Sequence, residues 1–185
     1  MDEKRQAARL GGAAVKARES MNLGVVVERR DSQSRWQDYD WYPVAVIPGA
    51  PPVDDWRMLR AGPAWVQFHA ATLEMELHRT ETEAYRLNLS GDPPVIYVVL
   101  RHEDEAGDHE VEPFLVTASP YEAQDLLDAG DDIIEGVPMP EPVIAFVRDF
   151  IDQHHVDVPF VKRKQKRHKA RDGPGPARSR RPDRG

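Results

Sequence analysis

The division of charge along this 185-residue chain sets where a fold can form. Residues 21–160 carry 27 Asp and Glu against 9 Arg and no Lys, whereas residues 161–185 carry 11 Lys and Arg against Asp172 and Asp183. After Val161 that end offers no large apolar side chain for a core, and its like charges repel one another and stay solvated. Folding is thereby confined to the acidic body. At about 140 residues it can build one core and bury roughly two thirds of its unfolded surface. The predicted organisation is an extension over residues 1–20, a single domain over residues 21–160 and a disordered basic tail over residues 161–185. The extension is rich in Ala and charge and interrupted at Gly11-Gly12, so it is expected to be disordered or weakly helical. Met21 directly precedes the first strand-like run, Leu23 to Val27, and is a candidate for the true start.

The absence of Cys excludes disulfides, iron–sulfur clusters, thiolate zinc sites and Cys nucleophiles for this chain acting alone, and fits a reducing cytoplasm. No apolar stretch near the N-terminus resembles a signal segment, and none anywhere approaches the roughly 20 residues that span a bilayer. The expectation is a cytoplasmic protein. No GxSxG, P-loop, GxGxxG or HExxH pattern occurs, so nucleophile-elbow, Walker-type, Rossmann and zincin chemistries have no support. No cofactor is expected.

Strand signals come first along the body. Leu73, Met75 and Leu77 alternate with Glu74, Glu76 and His78, and Tyr85, Leu87 and Leu89 alternate with Arg86 and Asn88, the period of half-buried antiparallel strands. Arg79 to Thr82 would be the hairpin link between them. Ser90 to Pro94 has turn composition and leads into Val95 to Leu100, a continuous apolar run that reads as a central strand. Further strands are predicted at Val25–Arg29, Pro43–Ile47 and Val111–Ala118. The stretch Pro48–Pro63 reads as a long connection with a helical turn after Asp54.

Helix signals arrive at Ser119-Pro120-Tyr121-Glu122, a capping box with Ser at the N-cap, Pro at N1 and Glu at N3 reaching back to the N-cap amide. Gly130 would stop that helix. After the Pro-rich bend at Val137 to Pro140, a second helix from Glu141 to His154 places Val143, Val147, Phe150 and Ile151 on one stripe. The predicted class is therefore α+β: an antiparallel meander sheet or partly closed barrel of about six strands, covered by two C-terminal helices, with disordered termini.

Four groups of residues bear on function. The loop His102 to Glu110 holds two imidazoles and five carboxylates, types that bind divalent metal, but the spacing matches no EF-hand and a solvated hairpin tip is the favoured reading. Glu74, Glu76 and His78 share one strand face about 7 Å apart, close enough for acid–base work, yet an exposed strand face needs such residues anyway. His154-His155 ends a helix, where a cationic ring interacts favourably with the helix dipole. The aromatic group Trp36, Tyr39, Trp41 and Tyr42 with Arg35 has the composition of a protein-binding hot spot, with core packing of Trp36 or Trp41 as the alternative.

The tail supplies Lys162, Arg163, Lys164, Lys166, Arg167, Lys169 and Arg171 for phosphates of RNA or DNA, an anionic lipid surface or an acidic protein. The acidic body opposes the first two partners. The arm can also fold back onto the body, or serve only to keep the chain soluble.

Taken together, Gly24 to Arg30, the Trp36 and Trp41 pair running into Pro43 to Pro51, Leu77 to Arg86, Pro113 to Asp125, and His154-His155-Val156 leading to Pro159 to Arg163 resemble a proteobacterial domain-of-unknown-function family, number 3305 of that class. The resemblance spans about Met21 to Arg167. Its members tend to be encoded beside molybdenum- or tungsten-dependent formate dehydrogenase subunits and their accessory factors. It implies a role near that enzyme's assembly or regulation. Joined to the residue reading above, the expectation is a non-enzymatic cytoplasmic accessory protein that binds a protein client, a dehydrogenase subunit or maturation factor, with the aromatic loop and the tail as its contact surfaces. The resemblance brings no catalytic residues. The alternatives are a nucleic-acid-associated protein acting through the tail, and a metal-dependent enzyme using the His102–Glu110 loop.

Overall fold

The computed structural model describes residues 18–103, 109–130 and 132–156. In chain order the elements are β1 (Arg18–Asp31), β2 (Tyr39–Pro48), β3 (Arg57–Gly62), β4 (Trp65–His78), a 3₁₀ turn (Arg79–Glu81), α1 (Thr82–Leu89), β5 (Val95–His102), β6 (Val111–Thr117), α2 (Pro120–Ala129), β7 (Ile133–Pro138) and α3 (Glu141–His154). The class is α+β with antiparallel pairing throughout, as expected. The strands form two sheets instead of one meander, in the orders β2-β1-β4-β3 and β6-β5-β7. β4 lies against β6 and β2 against β7, so the sheets approach each other along two flanks while their hydrogen-bonded ladders stay separate. No closed barrel results.

Val-rich β1 and β5 run through the middle of their sheets because both their faces are covered. Leu23, Val25 and Val27 meet Ile96, Val98 and Leu100 in one core, which α3 joins through Val143, Val147, Phe150 and Ile151. On the other face of β1 the buried carboxylate of Glu28 accepts from the Gln67 amide and from Arg30 Nε at 2.5 Å, and Gln67 Oε1 accepts from Arg60 at 2.7 Å. Glycine is required at Gly24, where a Cβ would come within 2.7 Å of His69 Nε2 and 2.8 Å of the Ala50 Cβ. Gly49 turns the chain after β2 at φ +65°, a left-handed conformation suited to glycine, and donates to Asn22 O at 2.8 Å.

Tyr85 to Leu89, expected as a strand, belongs to α1, and the 3₁₀ turn replaces the hairpin link. Its buried residues, Thr82, Ala84, Tyr85 and Asn88, follow helical spacing, whereas Leu87 is 53% exposed and created a false alternation. Asn88 locks the helix in place. Its amide donates to Val95 O and Ala118 O, both at 2.7 Å, and its carbonyl accepts from Val95 N at 3.0 Å.

Two strands went unpredicted. β3 lies within the supposed connection Pro48–Pro63, and β7 runs into the supposed bend at Val137 to Pro140; no helical turn follows Asp54. Both occupy sheet edges, where exposed residues carry no alternating pattern. α3 has the predicted bounds. Ser119 caps α2 by accepting from Glu122 N at 3.4 Å, but the return bond of the expected box is replaced by Ser119 N donating to Thr117 Oγ1 at 3.0 Å. Arg18 to Ser20, assigned to the extension, are part of β1 and pair with Glu76 to His78. The remainder of the extension and the tail, Lys162, Arg163, Lys164, Lys166, Arg167, Lys169 and Arg171 included, lie outside the described residues. Among the described residues no helix is long and apolar enough to cross a membrane.

Candidate functional site

The loop from β1 to β2 is tied by short polar bonds. Ser32 N donates to Asp38 O at 2.9 Å, Ser32 Oγ to Asp40 Oδ1 at 3.0 Å, and the Ser34 and Trp36 amides donate to the hydroxyls two positions back. This arrangement leaves the Trp36 ring 94% exposed. Arg35 beside it is exposed as well.

β2 carries its aromatic residues to both sides of the sheet. Trp41 is buried, its N–H donating to Glu110 Oε2 at 3.0 Å, and it meets Tyr39, Trp56 and His109 edge-on. Trp56 stacks on the His109 ring with centroids 3.9 Å apart, so that end of the acidic loop is packed against aromatic rings. The Arg29 guanidinium lies 4.2 Å over Tyr39 and that of Arg30 lies 4.9 Å over Tyr42. These rings thus already hold cations on one face.

A groove of about 290 Å³ opens beside this cluster. Tyr39, Trp41 and Tyr42 line it together with His102, Ile133 and the carboxylates of Asp40, Glu110 and Glu135. Two regions that the sequence offered as unrelated candidates, the aromatic group and the ends of the acidic loop, therefore share one depression. Aromatic faces and three carboxylates with one imidazole favour a cation such as a guanidinium or ammonium, and disfavour an anion. Trp36 and Arg35 stand on the adjoining loop, outside the lining. Sequence reasoning missed Asp40, Ile133 and Glu135; the latter two were hidden with the unrecognised strand β7.

The metal reading rests on residues the groove only partly gathers. His102 and Glu110 line it, but residues 104–108 lie outside the described residues. Among the described residues no three His, Asp or Glu side chains are grouped to hold a metal ion. Glu103 N donates to Glu110 O at 3.0 Å, which continues the β5–β6 hairpin toward its tip. Glu74 accepts from Ser20 Oγ at 2.5 Å and Glu76 pairs with Arg18 at 3.1 Å, cross-strand contacts to β1, while Glu76 also lies 3.4 Å from His78 on its own strand. The His155 ring leaves its own helix: Nδ1 is 2.9 Å from Thr82 Oγ1, and Nε2 is 2.6 Å from Arg86 Nη1.

The model of a family described as proteins of unknown function, DUF3305, matches residues 22–164. The chain belongs to that family. No curated protein and no solved structure matches it.

Proposed function

We propose that this DUF3305 member is a non-enzymatic cytoplasmic accessory protein that binds a basic segment of a protein client in its aromatic and acidic groove. The observation that carries the reading is the convergence of Tyr39, Trp41 and Tyr42 with Asp40, Glu110 and Glu135 around one depression. Such a surface recognises Arg or Lys by ring faces and carboxylates together, while the exposed Trp36 indole supplies apolar contact area at the rim. The acidic body, with no Lys and 9 Arg over residues 21–160, steers a basic partner toward the groove. The family resemblance points to a subunit or maturation factor of a molybdenum or tungsten formate dehydrogenase as the client.

The test is retention of client from cells that make formate dehydrogenase, comparing the full chain, a form ending at residue 160, and Trp36→Ala and Glu135→Gln variants, each with and without nuclease. The reading expects nuclease-resistant retention that survives loss of the tail and falls with Glu135→Gln in the groove and with Trp36→Ala on the adjoining loop. Retention that requires the tail and is abolished by nuclease would overturn it in favour of nucleic-acid association.

A further inference from the structure

The groove beside Trp41 holds three carboxylates that lack a cation. Asp40, Glu110 and Glu135 make no ion pair among the described residues, whereas Glu28, Glu76, Glu83 and Asp132 are each paired with an arginine. The partners that the first two do have are neutral: Asp40 accepts from Ser32 and Gln37, and Glu110 from Trp41. Three like charges around one depression repel one another, and a bound cation relieves that repulsion.

The rings beside them suit guanidinium in particular. Arg29 covers Tyr39 at 4.2 Å and Arg30 covers Tyr42 at 4.9 Å, although neither arginine belongs to the lining and Arg30 is paired with Glu28. A planar, weakly hydrated guanidinium stacks on aromatic faces and forks onto carboxylates, which an ammonium does less well. Arginine-rich chain is therefore the better occupant.

Reach along the chain decides which cations arrive. Val156 lies beside Arg79 and Thr82, at the end of β4 that pairs with Arg18, whereas Trp41 pairs with Arg29. The stretch of β1 from Arg18 to Arg29 separates the two levels by about 35 Å, at roughly 3.3 Å per residue. Crossing that distance consumes about ten residues of even fully extended chain. Lys162, Arg163 and Lys164 fall short of the groove. Beyond Lys169 the basic residues are all arginines, and four of them, Arg178, Arg180, Arg181 and Arg184, lie together with Asp183 as the one acid among them. Arg178 has about 70 Å of contour back to Val156, twice the span, so it arrives without tension.

We propose, resting on the reading of this groove as a cation site, that its occupant in the free protein is the chain's own segment Arg178 to Arg184. Its guanidinium groups pair with Asp40, Glu110 and Glu135 and stack on the rings between them. Tethering sets its effective concentration on the order of a millimolar, so a client's basic segment binds by displacing it. The tail thereby regulates access to the groove.

The chain has no Cys, so Ser179→Cys in the full chain carries a single nitroxide. Nuclear magnetic resonance should show paramagnetic broadening at the amides of residues 39–42 and 133–135 and at the Trp41 indole N–H. Changing Arg178, Arg180, Arg181 and Arg184 to Ser in the labelled chain should abolish it. A synthetic peptide of residues 177–184, titrated into unlabelled full chains, should shift the Glu135 amide and bind the four-Ser variant about tenfold more tightly than the parent, because the tethered segment competes in the parent. Broadening that misses the groove, broadening that survives the four changes, or equal peptide affinity for both proteins would each overturn the proposal. Broadening seen only between an isotope-labelled chain and a separate nitroxide-bearing one would overturn it in favour of a second copy as the occupant. Peptide binding at Glu135 without tail broadening removes the tail from the groove and leaves the cation site standing, whereas a peptide that shifts Glu135 in neither protein removes both.

Discussion

Trp41 and Glu110, 69 positions apart in the chain, are joined by a 3.0 Å hydrogen bond from the indole N–H to the carboxylate. That bond ties β2 of one sheet to the chain entering β6 of the other, at the floor of the groove. Trp41→Phe keeps most of the ring packing and removes the donor, so it should lower unfolding free energy by about 1 kcal/mol. Trp41→Ala also empties the aromatic cluster and should cost about 3–5 kcal/mol. Urea unfolding followed by circular dichroism measures both; equal losses would mean the hydrogen bond, not the packing, dominates.

Trp36 behaves oppositely because its ring is 94% exposed. Trp36→Ala should leave unfolding free energy within about 0.5 kcal/mol of the parent. If it is a hot spot for the client, the same change should weaken binding by about 2 kcal/mol, near thirtyfold. Calorimetry against the captured client separates the two quantities, and unaltered affinity would remove Trp36 from the contact surface.

Asn88 makes three bonds from one side chain, two to carbonyls and one from an amide. Asn88→Ala strands those groups at a position 7% exposed, and a loss of about 3 kcal/mol is expected. Asn88→Asp should be no better, because a carboxylate cannot donate to Val95 O and Ala118 O. Hydrogen exchange should show the loosening first in α1 and at the start of β5.

The same residue explains what the chain revealed and what it concealed. Long or well-capped elements were legible: β1 by its Val run, α2 by Ser119-Pro120, α3 by the apolar stripe from Val143 to Ile151. The segment from Thr82 to Leu89 was not, because two turns of helix and a short strand place apolar residues at overlapping positions, and Asn88 turned inward only because β5 and Ala118 offered it partners. β3 lacked a signal because it is exposed almost throughout, and β7 because Val137 is its one buried residue and Gly136 and Pro138 around it read as a bend. Of the groove, Tyr39, Trp41 and Tyr42 could be named from local composition. Their meeting with Glu110 and Glu135 depends on how the two sheets approach, which no local pattern encodes.

Glu28 sets an acid limit on stability. Burial acts to raise its carboxyl pKa, yet the Gln67 amide and the Arg30 guanidinium, with Arg60 nearby, hold it below the ordinary 4.5. A depressed folded value means that the stabilisation is present above pH 4.5 and is lost as pH falls toward the folded pKa. Glu28→Gln should therefore be less stable at neutral pH and show a shallower acid decline. Parallel pH profiles for the two proteins would contradict the linkage.

Tyr85 sets the alkaline limit. Burial, reinforced by Glu81 and Glu122 and opposed by the His78 N–H, pushes its hydroxyl from 10.0 up to about 12. Because the folded value is raised, its contribution is complete below pH 10.0 and declines from there to about 12. Tyr85→Phe removes the titrating group together with the acceptor for His78 N–H, which lies 3.0 Å away. At neutral pH that variant should be about 1 kcal/mol less stable, and the deficit should shrink as the parent enters its alkaline window. Urea midpoints for both proteins at neutral pH and inside that window measure the difference. A deficit that stays constant would show that Tyr85 ionises no differently in the folded and unfolded chain, and that its hydroxyl matters only as the acceptor beneath the turn that starts α1.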